Sequence, residues 1–530
     1  MTPAIIISTL VGYVALLFFV AWRSSRNSDG RSFFTGGRST HRVVAAVAMV
    51  GAAMSGVTYI SGPGTVAADN FSYLQTCLGF IVGYAVIAYL LIPLYYRIGV
   101  VSLYEYLDQR FGITAHRTGA WLFFVSKIAS ASLRAFVVCV VLQGLLYDKF
   151  GIPFWLNALV MMTLVWLYTR RGGVKSVVWV EMLKTMLMVV SVTTCIAFII
   201  KALDINLGKA VELIYSSDYS QILHTDNPLD RRYFWKQFIA GIFLVVAMTG
   251  LDQDMMQTML SCRSQRDAQR GMISSIAIQV VVITLFLSLG ALLYIYIGNR
   301  GLSIERGDDL FGYVTTECGL PIVAGILFLL GLVASTYSSA GSALTALTTS
   351  FTIDILKKGD SDQVVATRKR VHIAIAIAMT LIIILFNRWS GAGAITLIFT
   401  MASYTYGPLL GLFSFGLFTR RKPKAWAIPT LSVLAPTLSY ILANNSMQWL
   451  GGYQFSYEIL VVNALVMFCG LLLTSERSTT HASKTLSSRR QHSPHRINRQ
   501  VFLCHAPYGL LQWGARDGEP ISYLRPQVVQ

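Results

Sequence analysis

Six hydroxyl-bearing residues share one apolar run: Ser335, Ser338, Ser339, Ser342, Thr345 and Thr349. Their offsets from the first are 3, 4, 7, 10 and 14, the spacing of one helix face. Hydroxyl and carbonyl oxygens are the ligands that hard cations prefer. Serine and threonine also let helices pack closely and bond back to their own backbone, so spacing alone leaves both readings open. Three charges fall where charges are costly: Lys127, Arg134 and Glu181. Each costs about 2.5–3.5 kcal/mol at the centre of a membrane helix on insertion scales. Lys127 and Arg134 are seven residues apart, on one face, and Arg134 is the deeper. Its planar fork suits an anion, with an ion pair inside the bundle as the alternative. Glu181 is a candidate coupling residue near the end of its run, where a paired or exposed position is the other reading. Asp252, Gln253 and Asp254 interrupt a further apolar run.

The elements that must hold these side chains are membrane helices. The chain has 530 residues, 54% apolar and 13% charged, with a mean hydropathy of +0.58, whereas soluble domains carry about 25% charged residues. Apolar runs long enough to cross a hydrocarbon core of about 30 Å recur, at about 2–22, 43–68, 74–97, 118–147, 152–170, 174–202, 232–260, 269–298, 319–356, 369–388, 391–419, 423–443 and 453–474. The expectation is an all-α membrane protein of about thirteen transmembrane helices spanning residues 1–474. A tail, 475–530, lacks periodicity and reads as a disordered cytoplasmic extension.

Two spans are interrupted. The second contains Gly51, Gly56 and the stretch Ser61–Gly64; the seventh contains Thr249–Asp254. They lie five spans apart, as expected of paired five-helix repeats whose first helices are broken. Broken helices expose backbone carbonyls, tolerated at membrane depth only beside protein or a water-filled site.

The net charge of +18 does not indicate nucleic-acid binding, because the basic residues sit in alternate short loops rather than on one face. Arg97, Arg110 and Arg117 form one such loop, Arg263, Arg266 and Arg270 another, and Arg420, Arg421 and Lys422 a third. That alternation places these loops in the cytoplasm, the N-terminus outside and the C-terminus inside. Helical spans indicate a cytoplasmic (inner or plasma) membrane, since outer-membrane proteins are barrels. The first run has no basic leader or cleavage site and reads as a true span. The seven cysteines form no CxxC pair and suggest neither a metal cluster nor a disulfide framework. No phosphate-cradling loop, nucleophile elbow or HExxH pair is present, so catalysis and an ATP-driven pump are not expected.

Three segments carry a resemblance. Tyr168–Trp179, Leu251–Gln257 leading to Arg263, and Phe351–Asp354 followed by Ile355–Lys357 resemble motifs of the sodium/solute symporter family, which includes sodium-coupled sugar, proline and sialic acid transporters. The resemblance covers residues 1–474 and implies the five-plus-five inverted-repeat fold of the LeuT transporter. It implies sodium as the coupling ion, held by backbone carbonyls of Gly51, Met54 and Ser335 and hydroxyls of Ser338 and Ser339. It also implies a small-molecule solute in a cavity lined by Ser55 and Thr58, with Gln253 a further candidate contact. Arg134 matches the position at which sialic acid transporters of the family bind the substrate carboxylate. The chain departs from the pattern at Val180–Glu181, where the family has Thr-Asp, at Lys184, where glutamine is common, and at Gly341, where some members have a serine ligand. These departures argue against a second sodium site. Cys77 stands at the position of a sugar-binding polar residue and argues against a glucose-type site. The reading is a secondary active transporter importing a small organic solute, a carboxylate or sugar acid among the candidates, with sodium. A proton-coupled symporter using Glu181 and a non-transporting solute sensor are the alternatives.

Overall fold

Long apolar segments become helices because a chain in hydrocarbon must satisfy every backbone group within itself. The computed structural model describes residues 2–25, 36–99, 102–356, 362–388 and 394–476. The basic residues Arg26, Arg31, Lys357 and Lys358, and the expected tail from residue 477 onward, lie outside the described residues. In chain order the principal helices are α1 (Pro3–Ser25), α2 (Arg42–Ala53), α3 (Gly56–Gly64), α4 (Tyr73–Val86), α5 (Ile113–Leu145), α6 (Phe154–Ala202), α7 (Phe234–Val245) and α8 (Gln253–Leu260). They continue with α9 (Gln265–Gly298), α10 (Ile322–Ser350), α11 (Asp362–Phe386), α12 (Ala394–Thr405), α13 (Gly407–Phe418), α14 (Ala427–Trp449) and α15 (Ile459–Leu473). The only sheet among the described residues is a two-residue antiparallel pairing of Lys422–Pro423 with Ser475–Glu476.

Both broken helices expected from sequence are present. The α2–α3 pair bends by 62°, and the pair formed by Phe234–Gly250 and α8 bends by 70°. Short π-helical turns end α7 (Val246–Gly250) and α10 (Phe351–Ile355). The helix α6 holds two of the expected spans in one element and kinks at Gly173, whose φ of 51° is a conformation that glycine adopts without penalty. The helix α10 packs against α6, α5 and α3, while α7 packs against α4.

Among the described residues, eight helices are long and apolar enough to cross a membrane, ten if each bent pair is one span, and α13 and α15 are shorter apolar helices. Of the thirteen expected spans, these criteria single out ten among the described residues. One expected span, 152–170, merges into α6, and another, 391–419, is divided into α12 and α13.

Candidate functional site

The first break is made by two extended residues, Met54 (φ −102°, ψ 114°) and Ser55 (φ −97°, ψ 174°). With the helix interrupted, the carbonyls of Gly51 and Met54 meet no hydrogen-bond donor among the described residues. The break is wedged between α6 and α10. A Cβ added at Gly51 would lie 2.5 Å from the Glu181 carbonyl oxygen and 3.0 Å from Glu181 Oε2. One added at Gly56 would lie 2.9 Å from Thr336 Oγ1 and 3.1 Å from Ser335 Oγ. Only glycine permits either approach.

The serine stripe of α10 faces this wedge. Ser338 is buried, and its hydroxyl faces the Glu181 carboxylate without a hydrogen bond of good geometry. The Ser335 hydroxyl donates to the Leu332 carbonyl at 2.7 Å, so the hydroxyl is already engaged. Ser339 Oγ accepts from Lys184 Nζ at 3.1 Å. Lys184 Nζ lies 2.6 Å from Glu181 Oε2, with both side chains fully buried. Free carbonyls and a buried hydroxyl lacking a good partner are oxygens that a small hard cation would satisfy. Gly51, Met54 and Ser338 thus fit the sodium role best, and Ser339 shares its oxygen with an ammonium group.

The second break is satisfied by protein donors. The Tyr95 hydroxyl donates to the Gly250 carbonyl at 2.9 Å and the Tyr104 hydroxyl to the Leu251 carbonyl at 3.1 Å. Asp252 caps α8, accepting from the amides of Asp254 and Met255 at 2.9 and 3.4 Å. The same carboxylate receives Lys127 Nζ at 3.1 Å and the Tyr406 hydroxyl at 2.6 Å. Lys127 also pairs with Asp254 Oδ2 at 2.6 Å, and the Ser342 hydroxyl donates to Asp254 Oδ1.

Between the breaks lies a cavity of about 150 Å³, open to solvent. Met54, Ser55, Thr58 and Arg134 line it together, joined by Tyr84, Ser130, Thr249, Asp252, Phe286 and Tyr406. Asp69, Arg231 and Arg232 belong to the same lining, and Arg231 pairs with Asp69 at 3.0 Å. A second, water-sized space of about 10 Å³ is lined by Lys127, Arg134, Glu181, Asp254, Ser339 and Ser342. Lys127 and Arg134 border both spaces.

Arg134 differs from its charged neighbours. Its Nε is buried without a partner, and the guanidinium makes no ion pair or hydrogen bond among the described residues. Three cations (Lys127, Arg134, Lys184) and three carboxylates (Glu181, Asp252, Asp254) make up this deep set. Lys127 and Lys184 are committed to carboxylates, and Arg134 is the cation left to meet a ligand.

Gln253 is placed elsewhere. It is fully buried, does not line the large cavity, and its side-chain oxygen accepts from the Leu103 amide at 2.9 Å. Sequence reasoning gave no site role to Asp252, Asp254, Lys127 or Tyr406. The first three had a signal, as charges inside apolar runs; Tyr406 had none. The motif residue Asp354 is buried in a separate network, accepting from Ser102 and Ser350 at 2.8 Å each, with His116 Nε2 at 2.9 Å.

Residues 33–431 match the family model described as the sodium:solute symporter family. Among curated proteins, the chain is 24% identical over 429 residues to the human sodium/iodide cotransporter, covering 77% of this chain and 65% of that protein. It is 26% identical over 421 residues to the mouse sodium-coupled monocarboxylate transporter 1, covering 76% and 66%. It is 21% identical over 444 residues to the sodium/sialic acid symporter of Proteus mirabilis (strain HI4320), covering 78% and 84%. The chain thus spans just under two thirds of the length of the first two relatives. Among solved structures, a sodium-coupled sialic acid symporter in a substrate-bound outward-open state superposes with a TM-score of 0.75 at 20% identity, covering 89% of this chain and 97% of that one. A nucleobase-cation-symport-1 family transporter in a closed conformation gives a TM-score of 0.53 at 13% identity, covering 83% and 94%. These likenesses show the fold.

Proposed function

Because the chain belongs to the sodium:solute symporter family, we propose that it is a secondary active transporter that carries an anionic small organic solute across a membrane together with sodium. The observation that carries this reading is Arg134, a guanidinium without a partner among the described residues, lining the cavity beside the broken helix. Planar bidentate recognition of a carboxylate suits that group. The relatives named for iodide, monocarboxylates and sialic acid carry solutes that are anions, which agrees with such a counter-charge.

The geometry supplies a reason for coupling. Without ligands, the six deep charges cancel. An anion alone would leave one net negative charge in a low-dielectric site, and sodium alone one net positive charge. Bound together they restore neutrality, so each raises the affinity for the other. Such reciprocal coupling is typically worth about 1–3 kcal/mol, or about 5–150-fold. Gly51, Met54 and Ser338, with the carbonyl of Ser335 and a share of Ser339, are the sodium contacts in this reading. Ser55, Thr58 and Arg134 are the solute contacts, and Gln253 supports the loop at Leu103. Alternating access would follow from movement around the two breaks. The positive-inside pattern puts the N-terminus outside and the C-terminus inside a cytoplasmic (inner or plasma) membrane. The cavity mouth at Asp69, Arg231 and Arg232 then faces outward.

Proton coupling through Glu181 is the weaker reading, because Lys184 already neutralises that carboxylate. The test is uptake into proteoliposomes of radiolabelled monocarboxylates, sialic acid and iodide, with neutral sugars as controls. An inward sodium gradient should drive uptake of at least one anion. Uptake that follows a proton gradient and ignores sodium would overturn the proposal.

A further inference from the structure

Paired with Glu181, which lines the small space beside Arg134, is a cation that the transport reading does not use. Lys184 projects from α6 with its ammonium 2.6 Å from Glu181 Oε2 and 3.1 Å from Ser339 Oγ, and its side chain is wholly buried. A carboxylate and a hydroxyl on facing helices are oxygen donors of the kind a sodium ion takes. Here they surround a lysine. A second feature closes the same region. A Cβ added at Gly341 would fall within 2.4 Å of the Tyr168 ring carbon Cζ. Tyr168 is held there by donating its hydroxyl to the Tyr337 carbonyl at 2.8 Å. With Tyr168 in this position, a side chain at 341 has no room to offer an oxygen.

We propose that the Lys184 ammonium is a tethered cation filling a second cation position made by Glu181 and Ser339, so that the protein binds a single exchangeable sodium. Lys184 is a positioning residue: it neutralises Glu181 and orients Ser339 toward the break, where the exchangeable ion is held. With a singly charged anion, one sodium then makes the transported pair neutral. Membrane potential would contribute nothing to uptake, although a charge crossing about 100 mV is worth about 2.3 kcal/mol.

This inference rests on the sodium reading above, and the experiment separates the two. Binding of radiolabelled sodium to the purified full-length protein is counted per chain, for the wild type and for Lys184→Gln. Removing the ammonium leaves Glu181 and Ser339 free to hold an ion, so the expected count rises from one sodium to two. The double variant Glu181→Gln/Lys184→Gln removes both charges and should return to one. If Lys184→Gln does not yield folded protein, Lys184→Ser replaces it, and the wild-type count remains decisive. Two sodium ions in the wild type, or one in Lys184→Gln, would overturn the tethered-cation proposal and leave sodium binding intact. No sodium in the wild type would instead overturn the transport reading on which it rests.

Discussion

The two broken helices begin from the same problem and solve it in opposite ways. Each interruption frees carbonyls that a continuous helix would have satisfied. At the second break, Tyr95 and Tyr104 cover the carbonyls of Gly250 and Leu251, and Lys127 and Tyr406 hold the capping Asp252. At the first break, Gly51 and Met54 meet no donor to their carbonyls among the described residues, and Ser338 opposite has no well-formed hydrogen bond among them. A break completed by protein donors is a fixed joint. In the proposed reading, the one left short of donors is completed by a cation, and its geometry then depends on whether that cation is present.

Substitutions can break or sharpen this contrast. The largest expected effect is that of Arg134→Ala. Removing one partner of a buried charge pair costs about 2–5 kcal/mol, so solute binding, measured by isothermal titration in saturating sodium, should weaken roughly thirtyfold or more. Gly51→Ala comes next. The added methyl would meet the Glu181 carbonyl at 2.5 Å, and such overpacking costs about 1–3 kcal/mol. Sodium affinity should fall about tenfold or more in a radiolabelled-sodium titration. Ser338→Ala removes one oxygen and should weaken sodium by about tenfold, the low end of about 1.5–3 kcal/mol for a polar contact to a charged group. Tyr104→Phe should lower thermal stability by about 1–3 kcal/mol, the cost of a buried carbonyl left without a donor, and leave sodium affinity within about twofold. Equal sodium effects from Ser338→Ala and Tyr104→Phe would mean that the two breaks do not differ in role.

Much of this architecture is readable from local sequence, because its signals are local. Apolar run length sets the helices, and glycine with polar residues inside such runs marks both breaks. The thirteen expected spans differ from the full-length helices among the described residues where two limbs of α6 join at the Gly173 kink, and where α12 and α13 share one expected run. Arg134 was legible as a charge in an apolar run and Ser55 and Thr58 through the family resemblance, and the structure lines one cavity with all three. Gln253 was misleading for a physical reason. It sits in the polar insertion with Asp252, yet the start of α8 turns it toward the Leu103 amide. The partners that close the second break come from positions about 150 residues away, and only the packed bundle brings them there. Lys184 was visible as a departure from a family pattern; its contact with Ser339 was not.

The central claim is that sodium at the first break and an anion at Arg134 stabilise each other through charge. The direct measurement is sodium affinity of the purified protein with and without a saturating transported anion, paired with anion affinity with and without sodium. The account predicts equal factors in the two directions, about 5–150-fold, and their disappearance in Arg134→Ala. Sodium affinity unchanged by the anion would contradict it.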